Sequence, residues 1–512
     1  MNHSGRNSAR SWPAAAVLLA ALICSAGAAG QSERQRPWWN PGEAGPLPQA
    51  PEYVNEHGRS GLLNTHGPID TADHPFFEPL GTNGRACVTC HQPADAMSLS
   101  IASIRERWDA TDGTDPLFAS IDGMNCPHLP PGDPASHSLL LDRGLIRVFL
   151  PWPPRAADGS VVEPEFDIEV VRDPTGCNTH PQFGLQSAEP TISVYRRPRP
   201  AINLRYVTSA QFGVAPIIGK GALVTPIDPD TGRPVNLNMM SDARAPTLKA
   251  QARSAAATHL ELDRALTDAE LDAIQSFELQ LYGAQIESTG AGRLDATGGP
   301  PALGPAAMAA GRDGVLGNNT SNYVFPFGDA WHDSDDEFRR SAARGHDVFF
   351  FRTFWISDSM HINSVGLGNP IKRTCSTCHG MHMTAMDAAN GWMDLGTTNL
   401  PWAKEEPVSP WAGKPAQMPL FRLTCHEDRP PHPFLGRVIY TQDPGRALIS
   451  GKCDDIGAIV IQQFRGLAAR APYFSNGSAA TIREVVDFYD RRYNIQLTER
   501  EKMDLSNFLS LL

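Results

Sequence analysis

Three segments of the chain share one pattern of polar and apolar positions. Each starts with a threonine, carries a glutamate three residues later, and continues with apolar residues at intervals of three or four. A threonine and a glutamate at this spacing form a capping box, and the apolar interval matches one face of a helix. The pattern predicts amphipathic helices in LTDAELDAIQSFELQLYGA, SAATIREVVDFYDRRY and LTEREKMDLSNFLSLL, capped by Thr267 and Glu270, Thr481 and Glu484, and Thr498 and Glu501.

Strand patterns are rarer than helical ones. The runs LIRVFL and VVEPEFDIEVV are rich in β-branched and aromatic residues, and we expect them to form a small sheet or a hairpin. Because helical patterns dominate, the predicted fold class is mainly α with a few short strands. Residues 288–305, STGAGRLDATGGPPALGP, are rich in Gly and Pro and predict a linker. The linker separates two predicted domains, residues 31–287 and 306–512.

Length and charge narrow the class of protein. A chain of 512 residues is too long for one ordinary core, which favours two or more domains. The formal net charge of −12 argues against a nucleic-acid partner, because such a partner requires basic surfaces.

The first thirty residues predict a secretory signal peptide. Arg6 and Arg10 precede the apolar run AAAVLLAALI, and the small residues SAGAAG follow it. The run is too short for a comfortable membrane span, and no later segment approaches the length of one. We therefore expect cleavage near Ala28 or Gly30, export to the periplasm, and no stable membrane span.

The candidate cofactor chemistry lies in two Cys-x-x-Cys-His motifs, CVTCH and CSTCH. Their residues are Cys87, Cys90 and His91, and Cys375, Cys378 and His379. This motif attaches haem c, because two thioether bonds fix the ring and the next residue delivers its imidazole to the iron. A zinc site is the alternative, but zinc requires more ligands nearby. We therefore expect two haems c, one in each half, with His91 and His379 as iron ligands, and the fold class becomes two cytochrome-c-like domains.

Four further cysteines remain after the signal peptide and the two motifs are set aside. They are Cys126, Cys177, Cys425 and Cys453. An even number in an exported protein suggests two disulfides, and pairing of near neighbours would join 126 to 177 and 425 to 453. The other two connectivities and free buried thiols remain open.

Several further segments resemble the bacterial di-haem cytochrome c peroxidase and MauG superfamily. They are RRPRPAINL, DARAPTLKAQA, TQDPGRAL and RAPYFSNGSAATIREVVDFY. The resemblance covers most of the chain after the signal peptide, with extra sequence around residues 110–195 and 312–372. It implies a peroxidatic haem in the N-terminal half and an electron-transferring haem in the C-terminal half.

The resemblance also implies residues of a peroxide pocket. The family pattern D-G-R-x-x-x-L-x-x-Q-A is matched from Asp242 to Ala252 except that Ala243 replaces its glycine, and Glu261 stands ten residues beyond Gln251, as in the family. Gln251 and Glu261 would then line the pocket, with Glu261 transferring protons while the O–O bond breaks. His259 is an alternative, either as an iron ligand or as a proton donor in the pocket.

The second haem is expected to be closer to the MauG type. Where the peroxidases have a histidine, Ser475 stands in PYFSNGS, and fourteen residues later stands Tyr489. A tyrosine ligates the second iron at this position in MauG, so the resemblance implies the same role for Tyr489. His382 and Met383 are the competing ligands.

Other positions depart from the family. The loop after His91 contains no histidine that could bind the first iron and leave it again. Met97 is the nearest residue of this loop with a soft donor atom. Ser241 stands where the family has a tryptophan that is thought to carry electrons between the haems. In this chain Met239, Met240 or an aromatic residue elsewhere would have to carry them. Asn203 falls at a position that binds calcium in the family, which makes calcium a further expected ligand.

These features predict an exported di-haem c enzyme that reduces hydrogen peroxide at the N-terminal haem. Its electrons would come from a redox protein or a small donor, and its oxidising power would serve either peroxide removal or modification of a partner protein. A di-haem electron carrier without peroxidase activity and a di-haem oxygenase of an organic substrate are the alternatives.

Overall fold

The predicted helices begin where their capping residues stand. Thr267 and Thr498 each accept a hydrogen bond from the N–H of the glutamate three residues later, and each glutamate accepts one in return. Thr481 accepts from the N–H of Glu484, but the Glu484 carboxylate accepts from the N–H of Ala480. The computed structural model describes Met1 and residues 37–156, 158–209, 238–310, 328–359, 370–379, 392–400 and 417–512.

Ten α-helices and sixteen strands lie in the described part of the chain. The helices are α1 (Ile101–Thr111), α2 (Ser138–Arg143), α3 (Leu204–Ser209), α4 (Leu248–His259), α5 (Asp268–Gln280), α6 (Gly304–Ala309), α7 (Glu337–Phe351), α8 (Ala447–Ser450), α9 (Ile482–Tyr493) and α10 (Glu499–Leu509). The strands are β1 (Pro46–Leu47), β2 (Glu52–Asn55), β3 (Gly58–Asn64), β4 (Ile69–Asp70), β5 (Ile146–Pro151), β6 (Phe166–Arg172), β7 (Thr191–Arg196), β8 (Leu281–Ser288), β9 (Gly292–Arg293), β10 (Phe354–Ile356), β11 (Ile371–Arg373), β12 (Trp392–Met393), β13 (Asn399–Leu400), β14 (Leu420–Cys425), β15 (Val438–Thr441) and β16 (Ile459–Val460).

The prediction of a mainly α chain built from two cytochrome-c-like domains is wrong. The fold is mixed, with 31% of residues in helices, 19% in strands, and six small sheets. The strands are short, and several are buried along most of their length, as in β7 and β8. Strands buried on both faces lack the alternation of apolar and polar residues that identifies a strand in a sequence.

The two largest sheets each have four antiparallel strands. One has the order β2-β3-β8-β9, and the other has the order β13-β15-β14-β6. Leu281, which the helical pattern had included in its apolar face, begins β8 instead. The helix α5 therefore leads directly into a central strand of the first sheet.

The two strands predicted from the sequence form, but they do not pair with each other. Strand β5 pairs with β7, and β6 pairs with β14, more than two hundred residues away in the chain. The expectation of a shared sheet or hairpin is therefore wrong. Such distant pairing leaves no local signal in the sequence.

Two disulfides lie close in sequence to the strands β5, β6 and β14. Cys126 is bonded to Cys177, and Cys425 is bonded to Cys453. The pairing of near neighbours is thereby confirmed among the three connectivities that the sequence allowed. Cys425 ends β14, so the second bridge anchors the strand that pairs with β6.

The chain divides into two compact units, residues 1–37 and 38–512. The predicted linker, residues 288–305, contains β9 and the start of α6, and the division into domains 31–287 and 306–512 stays a prediction. The predicted signal peptide lies outside the described residues, apart from Met1. Within the described residues, no helix is both long enough and apolar enough to cross a membrane.

The helices α7 and α10 pack closely through a glycine. A Cβ on Gly345 would lie 1.9 Å from the carbonyl oxygen of Asp504 and 2.8 Å from Cβ of Phe508. The buried Asp504 carboxylate accepts hydrogen bonds from Ser341 and Arg344 of α7 at 2.6–2.9 Å. Glycine is therefore required at residue 345 for the approach of the two helices.

We expect Gly345→Ala to lower the free energy of unfolding by about 1–3 kcal/mol, because the new methyl group overlaps the backbone of α10. Without this contact, alanine would stabilise the helix relative to glycine by up to about 1 kcal/mol. A loss of stability therefore indicates that the methyl group overlaps α10. Urea unfolding followed by circular dichroism measures it. In the control Gly132→Ala the added methyl meets no atom within 4 Å, and a change within about 0.5 kcal/mol is expected. A stabilised Gly345→Ala protein would contradict the contact.

Candidate functional site

The two Cys-x-x-Cys-His motifs fold into the same turn. In the first, the N–H groups of Cys90 and His91 both donate to the carbonyl oxygen of Cys87, at 3.2 Å. In the second, the N–H groups of Cys378 and His379 donate to the carbonyl oxygen of Cys375 at 3.2 and 3.1 Å. Each motif begins with one turn of 3-10 helix. The turn gives each histidine the same position relative to its two cysteines.

Each turn borders a cavity. The space at the first turn, including its opening to solvent, is about 1320 Å³, and the space at the second is about 800 Å³. Side chains that line the first cavity include Cys87, Cys90, His91, Gln251, His259 and Glu278. Side chains that line the second include Cys375, Cys378, His379, Phe464, Tyr489 and Tyr493.

His91 is held in the form that binds metals. Its Nδ1 lies 3.0 Å from the carbonyl oxygen of Met97, and because a carbonyl can only accept, Nδ1 donates and Nε2 carries no proton. Burial lowers the pKa of His91, which favours the neutral imidazole. Ligating histidines ordinarily donate their other ring N–H to such a partner. The Met97 side chain is buried in the apolar core, in agreement with packing as its role.

The four cysteines of the motifs are free of disulfides. Burial raises the pKa of Cys87, Cys90 and Cys375 to about 12, so these thiols are neutral at physiological pH. A zinc site would require thiolates and further ligands. Within the described residues, no group of three or more His, Cys, Asp or Glu side chains could hold a metal ion. Paired neutral thiols beside a cavity are the donor set that covalent haem attachment uses, and the haem itself stays a prediction.

The residues implied for the peroxide pocket are separated in the structure. Gln251 lines the first cavity on α4. Glu261 is exposed and is not among the side chains that line it, and its carboxylate accepts a hydrogen bond from Asn83 at 3.0 Å. His259 lines the cavity, and its Nδ1 lies 2.5 Å from a carboxylate oxygen of Asp122. The catalytic roles of Gln251 and Glu261 stay predictions.

Glu278 is a functional candidate that the sequence analysis did not identify. It lies on α5, its side chain is 6% exposed, and its Oε2 has no hydrogen-bond partner among the described residues. Burial raises the pKa of Glu278 to about 8, so the group is mostly protonated at neutral pH. A signal was present in the sequence, because Glu278 follows Ile274 by four residues and falls on the apolar face of the helix.

Three arginines give the first cavity a positive wall. Arg197 and Arg199 line it, and Arg470 lies close enough to influence both electrostatically. All three guanidinium groups donate to backbone carbonyls, and none forms a salt bridge with a described residue. Burial lowers the pKa of Arg197 to about 9 and the pKa values of Arg199 and Arg470 to about 10. Guanidinium groups remain charged at neutral pH, so the wall is positive, with Asp95 near Arg197 and Asp242 near Arg199 but no salt bridge between them.

The second cavity is lined almost entirely by apolar side chains. The His379 ring stacks on Phe464 with 4.5 Å between ring centroids. Tyr489 lies edge-on to the His379 ring, with 6.2 Å between centroids and 86° between planes. Burial raises the pKa of Tyr489 well above its usual value, so the phenol stays neutral unless a cation such as ferric iron binds its oxygen.

Other predicted positions are placed as follows. His382 and Met383, the competing ligands, lie outside the described residues. Ser475 is buried, and its carbonyl accepts from the N–H of Arg197 at 2.7 Å. The side-chain oxygen of Asn203 accepts from the N–H of Gly283 at 3.1 Å. A role of Asn203 in calcium binding stays a prediction.

The position of the family tryptophan borders the first cavity. Ser241, Met239 and Met240 all line it, and the Ser241 carbonyl accepts from the N–H of Val460 at 2.9 Å. Neighbouring residues of one segment border both cavities, because Gln463 lines the first and Phe464 lines the second. This segment is the shortest covalent connection between the two sites in the described chain.

Comparison with known proteins adds little to this geometry. No family model matches the sequence, and no curated protein matches it. A solved structure of hydrazine synthase from Kuenenia stuttgartiensis, pressurised with xenon, aligns with 62% of this chain and 73% of its own. The identity is 14% and the TM-score is 0.29, and a likeness at this level carries no argument about fold or function.

The thiol pairs allow a direct test of haem attachment. After export from a host that matures c-type haem proteins, we expect a mass that exceeds that of the polypeptide by two haems. The double variants Cys87→Ala/Cys90→Ala and Cys375→Ala/Cys378→Ala should each lose one haem, and each serves as the control for the other. A wild-type protein that carries no covalent haem under these conditions would contradict the prediction.

Tyr489→Phe should change the optical and EPR spectra of the second haem, because the variant removes the phenol oxygen and keeps the ring. Tyr493→Phe is the matched control. Its ring borders the same cavity, but its hydroxyl is hydrogen-bonded to Ser359 at 2.7 Å. We expect the control to leave the iron spectrum unaltered. An unchanged spectrum for Tyr489→Phe would reject this ligand.

Proposed function

We propose that this chain is an exported di-haem c oxidoreductase that reduces hydrogen peroxide at the His91 haem. Electrons would enter from a redox protein or a small donor and pass through the His379 haem. The observation that carries the proposal is the contrast between the two cavities. Both follow the same Cys-x-x-Cys-His turn, but the first is lined by groups that exchange or orient protons, whereas the second is nearly apolar.

The difference between the linings of the two cavities fits the requirements of peroxide reduction and of electron transfer. Reduction of H2O2 to two H2O consumes two electrons and two protons, so the reactive site requires groups that bind and move protons. Gln251, His259 and Glu278 supply such groups in the first cavity. Electron transfer requires no proton donors, so the nearly apolar lining of the second cavity suits this half-reaction.

The residues of the first cavity fit a haem in its attachment and in its charge. Cys87 and Cys90 would form the thioether bonds, and Nε2 of His91 would ligate the iron. The positive wall formed by Arg197 and Arg199, with Arg470 behind it, would neutralise the propionate carboxylates, since guanidinium groups bind carboxylates strongly. The bound haem would supply an iron that takes peroxide and passes electrons to it.

The residues of the second cavity support a closed electron-transfer site. Phe464 and Phe349 hold the His379 ring, and Tyr489 approaches it from α9. Tyr489 lines the cavity with a neutral phenol, a group that would bind ferric iron if its oxygen reaches the haem. The segment that contains Gln463 and Phe464 offers a route between the two sites, in place of the tryptophan that the related family has.

The proposal can be tested with the two double cysteine variants. Wild-type protein should oxidise two equivalents of a one-electron donor for each H2O2, as measured by stopped-flow absorbance. Cys87→Ala/Cys90→Ala should lose the reaction with peroxide. It should still oxidise the donor when ferricyanide replaces H2O2 as the electron acceptor. Cys375→Ala/Cys378→Ala should keep the spectral response to peroxide and lose turnover with the donor.

Other outcomes would point to the other functions. Spectra with only low-spin ferric iron, together with no response to peroxide, would overturn the proposal in favour of an electron carrier. Consumption of O2 with an organic substrate, but not of H2O2, would favour an oxygenase. Loss of the peroxide response in the second double variant but not in the first would reverse the roles of the two halves.

A further inference from the structure

A partly exposed histidine, a buried aspartate and a buried arginine form a chain of hydrogen bonds beside the first cavity. The Nδ1 of His259 lies 2.5 Å from Oδ2 of Asp122, and Arg85 donates to Oδ1 of the same carboxylate. The side chains of Arg85 and Asp122 are each 1% exposed. These three residues come from three distant segments, and Arg85 stands two residues before the first cysteine of the CVTCH motif.

The aspartate fixes the state of the histidine ring. Burial alone would raise the pKa of Asp122, but Arg85 and His259 lower it below its ordinary value, so the carboxylate stays charged. A carboxylate only accepts hydrogen bonds, so Nδ1 of His259 donates. The second ring nitrogen, Nε2, is thereby left as the atom that can take up or release a proton. The same arrangement prepares histidines for acid–base work in many enzymes.

The main chain at His259 is held as firmly as the ring. Its carbonyl oxygen accepts from Nδ2 of Asn83 at 2.9 Å and from Arg85 at 3.4 Å. These donors satisfy a carbonyl at the C-terminal end of α4, where the helix itself leaves it without a partner. Both the backbone and the ring of His259 are therefore fixed by residues outside the helix.

The histidine shares one face of α4 with the predicted glutamine. Gln251, Ala255 and His259 are four residues apart and all line the first cavity, as expected for one helical face. The small alanine between the two polar side chains leaves space between them. This face brings a fixed base and an amide to the cavity that His91 also borders.

Glu261 is held outside this cavity by close packing. A Cβ on Gly81 would lie 1.7 Å from the carbonyl oxygen of Leu260, so the two segments touch. Thr82 donates to the carbonyl of Glu261 at 3.3 Å, and Asn83 donates to its carboxylate at 3.0 Å. These contacts direct the side chain of Glu261 to the surface.

We propose that His259 is the catalytic acid–base of peroxide reduction at the first haem, with Asp122 and Arg85 as positioning residues. This inference rests on the proposed function. Nε2 of His259 would take the proton from one oxygen of H2O2 and return it to the other, which would leave as water with the electron pair of the broken O–O bond. The remaining oxygen would leave as a second water with two electrons from the donor and two protons from solvent, and the haem, when bound, would supply the site of this reduction.

The test compares His259→Gln with the wild-type holoprotein. We expect a fall of about 10²–10⁴-fold in the second-order rate of reaction with peroxide, the range that general acid–base catalysis contributes. Association of HCN with the ferric first haem should slow as well, because HCN must give its proton to a base when cyanide binds. Haem content and the resting spectra should be unchanged. His66→Gln makes the same replacement at an exposed site and should leave both rates unaltered.

Asp122→Asn provides a second test that depends on charge. The groups that face His259 are Asp122, Arg85, His91 and, beyond Asn83, Glu261. Loss of the carboxylate disfavours the imidazolium, so the acid-side midpoint of the rate–pH profile should move to lower pH. A purely structural role of Asp122 would lower stability and leave this midpoint where it is.

The outcomes separate this inference from the proposed function. Wild-type protein that does not react with peroxide would overturn both. Wild-type protein that reacts, while His259→Gln reacts and binds cyanide equally fast, would overturn only the role of His259. A large loss in Glu261→Gln, with none in His259→Gln, would return the acid–base role to the glutamate that the sequence resemblance implies.

Discussion

Arg196 is buried between two aspartates, and its ion pairs connect parts of the chain that are far apart. Its guanidinium group donates to Asp443, 247 residues away, at 2.6 and 2.9 Å, and to Asp242, 46 residues away, at 2.5 Å. Asp242 also pairs with Arg244 at 2.7 Å, and the two cations lower its pKa to about 2. Burying charges this deeply is costly, and removal of either partner would leave an uncompensated buried charge. The network therefore fixes β7, the approach to α4 and the segment after β15 relative to one another.

The position of the first cavity depends on this network. Asp242 and Arg244 precede the Thr247 cap of α4, whose hydroxyl accepts from the N–H of Ala250. Anchoring this segment sets where the helix begins and thus which of its faces meets the cavity. The next arginine in the chain, Arg197, donates to the carbonyl oxygens of Leu99 and Arg470 instead of to a carboxylate. The fold thus places an arginine with two aspartate partners beside one that forms no salt bridge with a described residue.

Local signals in the sequence predicted three of the ten described helices and favoured the observed pairing of the disulfides, but they did not predict the fold class. Thr267, Thr498 and their glutamates act through neighbours three residues away, so their role can be recognised in the sequence. Strand pairs such as β6 with β14 depend on residues separated by about 250 positions, and the short strands carry no regular alternation. A mainly α interpretation followed because helical periodicity can be recognised within a single segment, whereas these sheets cannot.

Like the fold, the candidate site contains residues that can be recognised within one segment and residues that only distant contacts bring in. The Cys-x-x-Cys-His turns are local, whereas Gln251 and Tyr489 were named from the family resemblance; Gln251 lines the first cavity and Tyr489 the second, and their roles stay predictions. Asp122 belongs to the extra segment that the family resemblance does not cover, and its partner His259 is 137 residues away. That extra segment thus contributes to the first cavity directly, as well as through its disulfide and its strands. Arg85, two residues before Cys87, thus joins Asp122 of the extra segment to the motif whose residues would hold the haem.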